Sequence, residues 1–566
     1  MRRSRARGYL VASIGIAAAI AAGGAACSPV ERNFPPLGGA GGAGGSGGGL
    51  VCTPDAVEPC YTGPEGSQGI GSCKEGTHVC NKDGTGFGAC EGEVLPGAED
   101  CTTDIDEACN DAPAMECAAL GYVWSKAYGD LLGAQSLGDI AVTPDGDLVV
   151  VGGFAGMIDF GGQPLASTGS ADIFVAKLKS TGEHIWSQRF GDANTQRATS
   201  VVVDPMGAIY VGGLVFGSVD FGDGVKTSAG SDDAFVAKFD PDGKVIWSKL
   251  YGDTASQEVK KLGLMKTNQV VMGGVFGGSF TFNNVSHGSL GGDDIFVAKL
   301  SSEGFEVNSR RYGGTGVDTL NGLEIDSLDA VLLTGGFDST IDLVAGAPLT
   351  SAGAMDVFVA KLSPNLSTSW AKRWGDTDAQ TGFDVAIGPG DEVMLAGSFK
   401  STLEFGAANV LTTQDPAATN LYLARLSTNG DVSSAQSFGD ATTTISGAKL
   451  AVDVVNGQLV VAGSFIGTFD FGGPPITGAA GADPFLAKLS LAGGHVASLS
   501  FPHDKGSQQL TPSNSVNTLA LLPSGDPVIG GTLNAPVDFG GGAIGNDQGG
   551  GPLKIGGDAF VARFLH

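Results

Sequence analysis

A heptad that recurs seven times along the chain constrains the fold more than any other feature. Its copies are DIFVAKL, DAFVAKF, DIFVAKL, DVFVAKL, NLYLARL, DPFLAKL and DAFVARF, which begin at Asp172, Asp233, Asp294, Asp356, Asn420, Asp483 and Asp558. The aromatic residues at the third heptad position are 61 to 75 residues apart. Self-similarity at such a period indicates a propeller, a solenoid or an array of domains. The 566 residues are too many for one small core, which agrees with an array.

Each repeat unit has the pattern of four β-strands. In the second unit, the β-branched run Ser200–Asp204 is followed by a Pro-Met-Gly turn and by the run Ala208–Gly212. The heptad at Asp233 is the third strand, and Val245–Tyr251 is the fourth, after a Pro-Asp-Gly turn. No unit has a convincing apolar period of 3.6 residues. The sequence therefore predicts an all-β fold.

The phase of the fourth strand predicts how the array is closed. Its fullest motif is a Trp, three residues, an aromatic residue and Gly, and the first copy, Trp124–Gly129, precedes the first complete unit. The last unit ends at His566 without a fourth strand of its own. Pairing of the N-terminal strand with Asp558–Phe564 would complete the last blade and close a ring, whereas a solenoid would gain nothing from this offset. We therefore predict a seven-bladed β-propeller with split-blade closure by an N-terminal strand.

Four recurring elements carry a resemblance to a known family. They are the Gly-Gly-Phe element at Gly152, the Asp-Phe-Gly element at Asp159, the Phe-Val-Ala-Lys strand and the Trp strand. Together these elements resemble the bacterial seven-bladed β-propeller repeat (SBBP-type) surface lipoproteins over residues 119–566. The resemblance implies the propeller fold. It implies no particular activity, because a shared fold does not fix function.

The N-terminal residues predict export. Residues 1–26 combine a basic start with the short apolar run Tyr9–Ala22, as in a signal peptide. The stretch Gly24–Cys27 resembles a bacterial lipobox, in which the cysteine is lipidated and becomes the new N-terminus. We expect lipidation of Cys27 and, by analogy with that family, location at the outer membrane or cell surface. An ordinary signal peptide followed by an unmodified cysteine is the alternative.

Two further segments precede the predicted propeller. Residues 27–50 are rich in glycine and predict a flexible tether. Residues 51–118 hold eight cysteines, and an even number in an exported segment predicts a disulfide framework. The eight are Cys52, Cys60, Cys73, Cys80, Cys90, Cys101, Cys109 and Cys117. Eight cysteines allow 105 pairings, so the connectivity stays open. A zinc or redox site is the less favoured alternative, since no Cys-x-x-Cys occurs.

A basic residue recurs at one fixed heptad position. The seven copies could form a ring that binds an anion in the channel, or they could have a purely structural role. These residues are Lys177, Lys238, Lys299, Lys361, Arg425, Lys488 and Arg563. We predict a structural role, because the third strand of a blade does not line the channel and a long basic side chain can pack its stem while pairing with a local Asp. The repeated Asp residues that open the third strand are predicted to accept backbone hydrogen bonds in turns.

Charge and motifs limit the functional classes. The formal net charge of −28 repels nucleic acid, so no nucleic-acid partner is expected. The six histidines show no metal-ligand spacing, and no Walker loop, His-Glu-x-x-His helix or convincing dinucleotide fingerprint occurs. Repeated calcium sites would need several oxygen ligands converging in one loop, and most units lack a second acid beside the first. We therefore predict no catalytic residue, no metal and no cofactor.

The predicted function is that of a non-catalytic binding or scaffolding module. It would contact the membrane through its lipid anchor and present a propeller face to a glycan, protein or peptidoglycan partner. The alternative is an extracellular hydrolase or lyase with its site at the channel mouth, built from residues that differ between blades. A purely structural component of the envelope is a third interpretation.

Overall fold

Strands make up nearly all of the regular structure in the computed structural model, which describes residues 51–64, 66–96, 120–130, 133–479, 481–503, 512–545 and 556–566. The exception within these residues is a short 3-10 turn, Pro389–Asp391. The all-β prediction is thus confirmed. The predicted signal peptide (1–26) and tether (27–50), with Cys27, lie outside the described residues, as do Cys101, Cys109 and Cys117.

The first of two units is small and cross-linked. Of the described residues it contains 51–64, 66–69 and Cys73–Leu95. Strand Val57–Cys60 pairs antiparallel with Gly76–Val79. Disulfides join Cys52 to Cys80 and Cys60 to Cys90, and Cys73 is also disulfide-bonded. Strands this short bury little apolar surface, so cross-links worth about 2–4 kcal/mol each are a main source of stability. The predicted disulfide-rich segment is confirmed.

The second unit contains seven antiparallel four-stranded sheets, the blades. We number the blades 1 to 7 from Gln135 and the strands of each blade from the channel outward. The first, inner strands are Gln135–Val142, Gln196–Val203, Gln257–Leu264, Asp318–Ile325, Gln380–Ile387, Thr444–Asp453 and Ser515–Leu521. The second strands are Leu148–Phe154, Ile209–Val215, Val270–Phe276, Val331–Phe337, Val393–Phe399, Gln458–Ile466 and Pro527–Leu533.

The heptads are the third strands, as predicted. They are Asp172–Leu178, Asp233–Phe239, Asp294–Leu300, Asp356–Leu362, Asn420–Leu426, Asp483–Ser490 and Asp558–Phe564. The outer strands of blades 1 to 6 are His184–Phe190, Val245–Tyr251, Glu306–Tyr312, Thr368–Trp374, Val432–Phe438 and His495–Ser500. A short two-stranded hairpin joins the second and third strands of every blade. Its strand pairs are Met157–Ile158 with Leu165–Ala166, Ser218–Asp220 with Val225–Thr227, Ser279–Phe282 with Val285–Gly288, Thr340–Ile341 with Leu349–Thr350, Thr402–Glu404 with Val410–Thr412, Thr468–Phe469 with Ile476–Thr477, and Val537–Asp538 with Ala543–Ile544.

The seventh blade closes the ring with a strand from the other end of the sequence. Strand Tyr122–Tyr128 pairs antiparallel with Asp558–Phe564 and is the outer strand of blade 7. The inner strand of blade 7, Ser515–Leu521, contacts the inner strand of blade 1, Gln135–Val142. The predicted seven-bladed propeller with split-blade closure is confirmed.

The Trp of the outer strand, present in blades 1, 2, 4 and 7, connects its blade to the next. The indole N–H of Trp247 donates to the carbonyl of Ser302 at 3.0 Å, and its ring covers Gly304 in the turn between the third and outer strands of the following blade. Trp124 makes the same contact with Ser180 at 2.9 Å, which links blade 7 to blade 1 across the seam. A repeated sequence motif therefore produces a repeated contact between blades.

The heptad aromatic residue explains a glycine in the second strand. Gly274 faces Phe296, and a Cβ atom at Gly274 would lie 2.0 Å from the carbonyl oxygen of Glu258 and 2.6 Å from the Phe296 ring. Phe296 is fully buried. The Gly-Gly-Phe element thus leaves room for the aromatic side chain and for the inner strand at the same point.

Candidate ligand site in the central channel

A β-bulge interrupts the inner strand of every blade. The register against the second strand shifts between Leu137 and Asp139 in blade 1. It shifts at the matching place in blades 2, 3, 4, 5 and 7. In blade 6 the shift occurs between Ile445 and Gly447, nearer the start of the strand. A bulge leaves one residue outside the strand pairing and re-aims its side chain.

The residues at the bulges differ from blade to blade, although the backbone feature recurs. They are Gly138, Thr199, Lys260, Asn321, Phe383, Ser446 and Asn517. All seven line one cavity of about 430 Å³ in the central channel. The repeat therefore supplies a uniform scaffold, and this ring supplies residues that do not repeat.

Some bulge side chains also hold neighbouring blades together. The Nδ2 of Asn321 donates to the carbonyl of Gly382 in the next blade at 2.8 Å. The Nδ2 of Asn517 donates to the carbonyl of Leu137 at the same distance and so bridges the seam. Neither Asn321 nor Asn517 uses its Oδ1 in a hydrogen bond with another described residue. Each amide is therefore fixed through its nitrogen and keeps an acceptor free.

A second ring follows the bulges, at positions that pair with equivalent residues of the second strands. Its members are Asp139, Ser200, Lys261, Gly322, Asp384, Lys449 and Thr518. Asp139 accepts hydrogen bonds from the hydroxyls of Thr518 at 2.7 Å and Ser200 at 3.0 Å. Asp384 accepts from the backbone N–H of Leu450 at 3.0 Å. These carboxylates therefore connect adjacent blades.

The two lysines of this ring behave differently from the aspartates. Neither Lys261 nor Lys449 forms an ion pair or hydrogen bond with another described residue. Burial alone would lower the pKa of Lys261, but the negative charges of Asp139, Asp384 and Glu324 outweigh that effect and raise it. Burial, with the positive charge of Lys261, lowers the pKa of Lys449 to about 8. Their ammonium groups are thus free donors inside the channel.

Glu324 lies farther along the inner strand of blade 4 and lines a separate cavity of about 310 Å³. Its side chain is exposed to solvent, and the protein atoms around it still desolvate its carboxylate in part. This desolvation, with the negative charge of Asp384, raises the pKa of Glu324 to about 7. Perturbed titratable groups gathered in a cavity are typical of functional sites.

The fixed basic residues of the heptad lie away from this site, as predicted. Lys361 pairs with Asp326 at 2.7 Å, and Arg563 pairs with Asp526 at 2.7 Å. Lys299 donates to the carbonyl of Pro364 in the next blade at 2.8 Å. The exception is Lys488, whose buried Nζ has no hydrogen-bond partner among the described residues and whose pKa is lowered by burial. The structural role is confirmed for the other six basic residues.

The repeated aspartates that open the third strands also act in turns, as predicted. Asp356 accepts a hydrogen bond from the backbone N–H of Ala352 at 2.9 Å and pairs with Arg373 at 2.6 Å. Asp294 makes the equivalent contacts with Leu290 and Arg311. Within the part of the chain that the structure describes, no group of three or more His, Cys, Asp or Glu residues is arranged to hold a metal ion.

Lys261, Lys449 and Glu324 were not among the candidates from the sequence, because that search followed positions that repeat. A residue that differs from its counterparts in the other units is the signal that could have found them. These residues lie in inner strands at positions where the other blades have Ser, Thr, Gly, Ala, Val or Asp. A charged residue that breaks a repeat at a channel-lining position is a candidate ligand contact.

No family model matches the chain. The chain is 26% identical over 336 residues to the regulatory protein FlaEY of Caulobacter vibrioides, a match that covers 53% of this chain and 34% of the relative. The chain therefore spans about a third of the length of that relative.

Two solved structures are similar at low sequence identity. The Neurospora crassa Pan2 WD40 domain has a TM-score of 0.38 and 10% identity, and it covers 77% of this chain and 95% of its own. Sqt1 from Chaetomium thermophilum has a TM-score of 0.37 and 11% identity, with 79% and 100% covered. TM-scores this low do not establish the number of blades or the closure of the ring. Both are established by the strand pairing described above. Among the described residues, no helix is long and apolar enough to cross a membrane.

Proposed function

We propose that the protein is an exported, lipid-anchored surface protein that binds a ligand in its propeller channel without catalysing a reaction. The observation that carries this proposal is the ring of bulges. Seven bulge positions surround a cavity of about 430 Å³ and present six side chains of four chemical kinds and one glycine. If these positions had only a structural role, the same residue could occupy all seven, as it nearly does at the recurring positions of the third strands. A cavity with a few placed polar groups is typical of ligand sites.

Two further observations support the cellular part of the proposal. The disulfides Cys52–Cys80 and Cys60–Cys90 indicate an oxidising environment. The resemblance of Gly24–Cys27 to a lipobox supports anchoring at Cys27. The Caulobacter vibrioides relative is named a regulatory protein, which is compatible with a binding role.

A ligand screen with a blocked channel tests the binding role. The soluble propeller is presented to panels of glycans and envelope proteins, and binders are measured again with Ser446→Trp, which fills the cavity from an exposed lining position. Met206→Trp places the same residue on an 82% exposed turn and is the matched control. We expect Ser446→Trp to abolish binding and Met206→Trp to retain it. Binding that survives Ser446→Trp would contradict a channel site.

Membrane partition tests the anchor. Cys27→Ser removes the only acceptor of a lipid in the proposed lipobox, so we expect the protein to move from the membrane to the soluble fraction. Cys73→Ser, a change at a disulfide-bonded cysteine, should leave partition unchanged. Unchanged partition of Cys27→Ser would contradict lipid anchoring.

An extracellular hydrolase or lyase is the second candidate, and the perturbed groups in the channel favour it. Glu324 with a pKa of about 7 and Lys449 with a pKa of about 8 are suited to proton transfer near neutral pH. Mass spectrometry of each ligand from the screen, before and after incubation, distinguishes the two functions. Turnover that Glu324→Gln abolishes would establish the enzyme and overturn the non-catalytic proposal.

A further inference from the structure

The 430 Å³ cavity differs in charge from the protein as a whole. The chain carries 60 acidic and 32 basic residues, yet the described residues that line this cavity include Lys260, Lys261 and Lys449 and no Asp or Glu. A cavity lined by one sign of charge concentrates ligands of the opposite sign. The charged residues among its described lining are all lysines, and the carboxylates of Asp139 and Asp384, which act on Lys261, do not line it, so the cavity favours an anion.

Two of the three ammonium groups are available to that anion. Lys260 pairs with Glu258 at 2.6 Å, whereas Lys261 and Lys449 have no partner among the described residues. Half-buried ammonium groups without partners are costly unless something satisfies them. A carboxylate placed between Lys261 of blade 3 and Lys449 of blade 6 would accept hydrogen bonds from both.

The neighbouring aspartates do not compete for these donors. Asp139 is 9% exposed and accepts hydrogen bonds from Thr518, Ser200 and the backbone N–H of Val201. Asp384 accepts from the backbone of Leu450. Their charge raises the affinity of Lys261 for its proton, but their oxygens are committed to holding the blades together.

The remaining lining favours a ligand that carries hydroxyl groups. The Oδ1 atoms of Asn321 and Asn517 are fixed acceptors without partners among the described residues, and Ser446 is exposed. Phe383, half-buried in the same wall, offers an apolar surface for the face of a sugar ring. The volume of about 430 Å³ lies in the range of roughly 300–1,000 Å³ that small-molecule sites occupy.

We propose that this cavity binds a sugar acid, with its carboxylate between the ammonium groups of Lys261 and Lys449 and its hydroxyls on Asn321 and Asn517. This inference rests on the proposed binding function, because it names the ligand class of the same site.

Calorimetric titration of the full chain with D-glucuronate and D-galacturonate tests the inference. We expect Lys261→Met and Lys449→Met each to weaken binding at least tenfold, because each removes one of two charge-assisted contacts. Lys244→Met, at an exposed turn outside the channel, is the matched control and should bind as the unchanged protein does. Neutral D-glucose and D-galactose should bind at least tenfold more weakly than the acids.

The pH dependence supplies a readout that a loss of folding would not imitate. Lys449 faces Lys261, Asp139 and Asp384, and its charge is lost as pH rises through about 8, so affinity should fall there. Protonation of Glu324 below about pH 7 removes a negative charge near Lys261, so affinity should rise there. Glu324→Gln should remove the change near pH 7 and keep the one near pH 8.

Three results would overturn the inference: no binding of either sugar acid, equal binding of the neutral sugars, or unchanged binding by both channel variants at equal thermal stability. These results are distinguishable from failure of the proposed function. If Ser446→Trp abolishes binding of another ligand from the screen, the channel remains a binding site and only the sugar-acid assignment fails.

Discussion

The third strands and the inner strands of this propeller share a backbone repeat but differ in how far their side chains repeat. The third strand keeps an aromatic residue, a small residue and a basic residue in nearly every blade, and each of them contacts the same or the next blade. The inner strand keeps its bulge, but Gly, Thr, Lys, Asn, Phe and Ser occupy it in turn. Packing therefore fixes the third strand, whereas the inner strand is free to vary at the channel.

In a repeat protein of this kind, function is expected at the positions that differ between the repeats. Interiors are close-packed, so a buried position that recurs in seven blades tolerates few residues. A channel-lining position meets solvent or ligand on one side and has no such restriction. Four predictions follow from the comparison, ordered from the largest expected effect to the smallest.

The largest effect is expected at the third strand of blade 7, which depends on a partner from the other end of the sequence. Deleting residues 1–128 removes Tyr122–Tyr128 and leaves the edge of Asp558–Phe564 unpaired. We expect the thermal midpoint to fall by more than about 10 °C, or cooperative unfolding to be lost. Deleting residues 1–50 is the control and should leave the propeller transition in place. An unchanged midpoint after the longer deletion would place the seam elsewhere.

A large effect is also expected for the aromatic residue of the third strand. Phe296 is fully buried, and Phe296→Ala should lower the free energy of unfolding by about 3–5 kcal/mol. Asn321→Ala in an inner strand removes one hydrogen bond between blades and should cost about 1 kcal/mol. Chemical denaturation measures both. Similar losses for the two variants would contradict the difference between the strands.

The glycine that accommodates Phe296 should tolerate no side chain. In Gly274→Ala the new Cβ would lie 2.0 Å from the Glu258 carbonyl oxygen, so strand or ring must move. We expect a loss of about 2 kcal/mol by chemical denaturation. Gly288→Ala, where nothing lies within 4 Å of the new Cβ, is the control and should be nearly neutral. A Gly274→Ala protein as stable as the unchanged one would contradict this account of the motif.

The smallest effect is expected where one blade departs from the repeat near the start of its inner strand. Asp318 in blade 4 takes the place of Gln257 in blade 3, and its Oδ1 is buried without a hydrogen-bond partner among the described residues. Burial, with the negative charges of Asp294 and Asp338, raises the pKa of Asp318 to about 7. The folded state therefore prefers the protonated acid, and stability is lost as pH rises from about 4 through about 7.

Asp318→Asn should remove this dependence of stability on pH, because the amide of Asn stays neutral. We expect the variant to exceed the unchanged protein in stability by about 1 kcal/mol or more at pH 8, and the difference to shrink toward pH 4. Urea denaturation at several pH values measures it. Asp242→Asn, at an exposed turn, should show no such trend. A difference that does not depend on pH would mean that Asp318 is ionised in the folded protein.

The sequence was sufficient for most of the fold because local rules repeat seven times in it. The heptad, the turns and the Trp strand each specify a strand or a contact within one or two blades, and the early position of Trp124 specified the closure. Lys361 and Arg563 could be assigned structural roles because the third strand of a blade does not line the channel, and each pairs with an acid between the inner and second strands of its own blade.

The channel site required the tertiary structure. Lys261 and Lys449 lie 188 residues apart in sequence, in different blades, and no local pattern relates them. Both lysines pair with equivalent residues of their second strands, Gly273 and Ala462, although the bulge of blade 6 occurs earlier in its strand than the others. Ring closure brings such residues to one cavity and removes enough solvent to shift their pKa values. Local interactions thus encode each blade, while charge and desolvation in the channel arise only from the assembly of all seven.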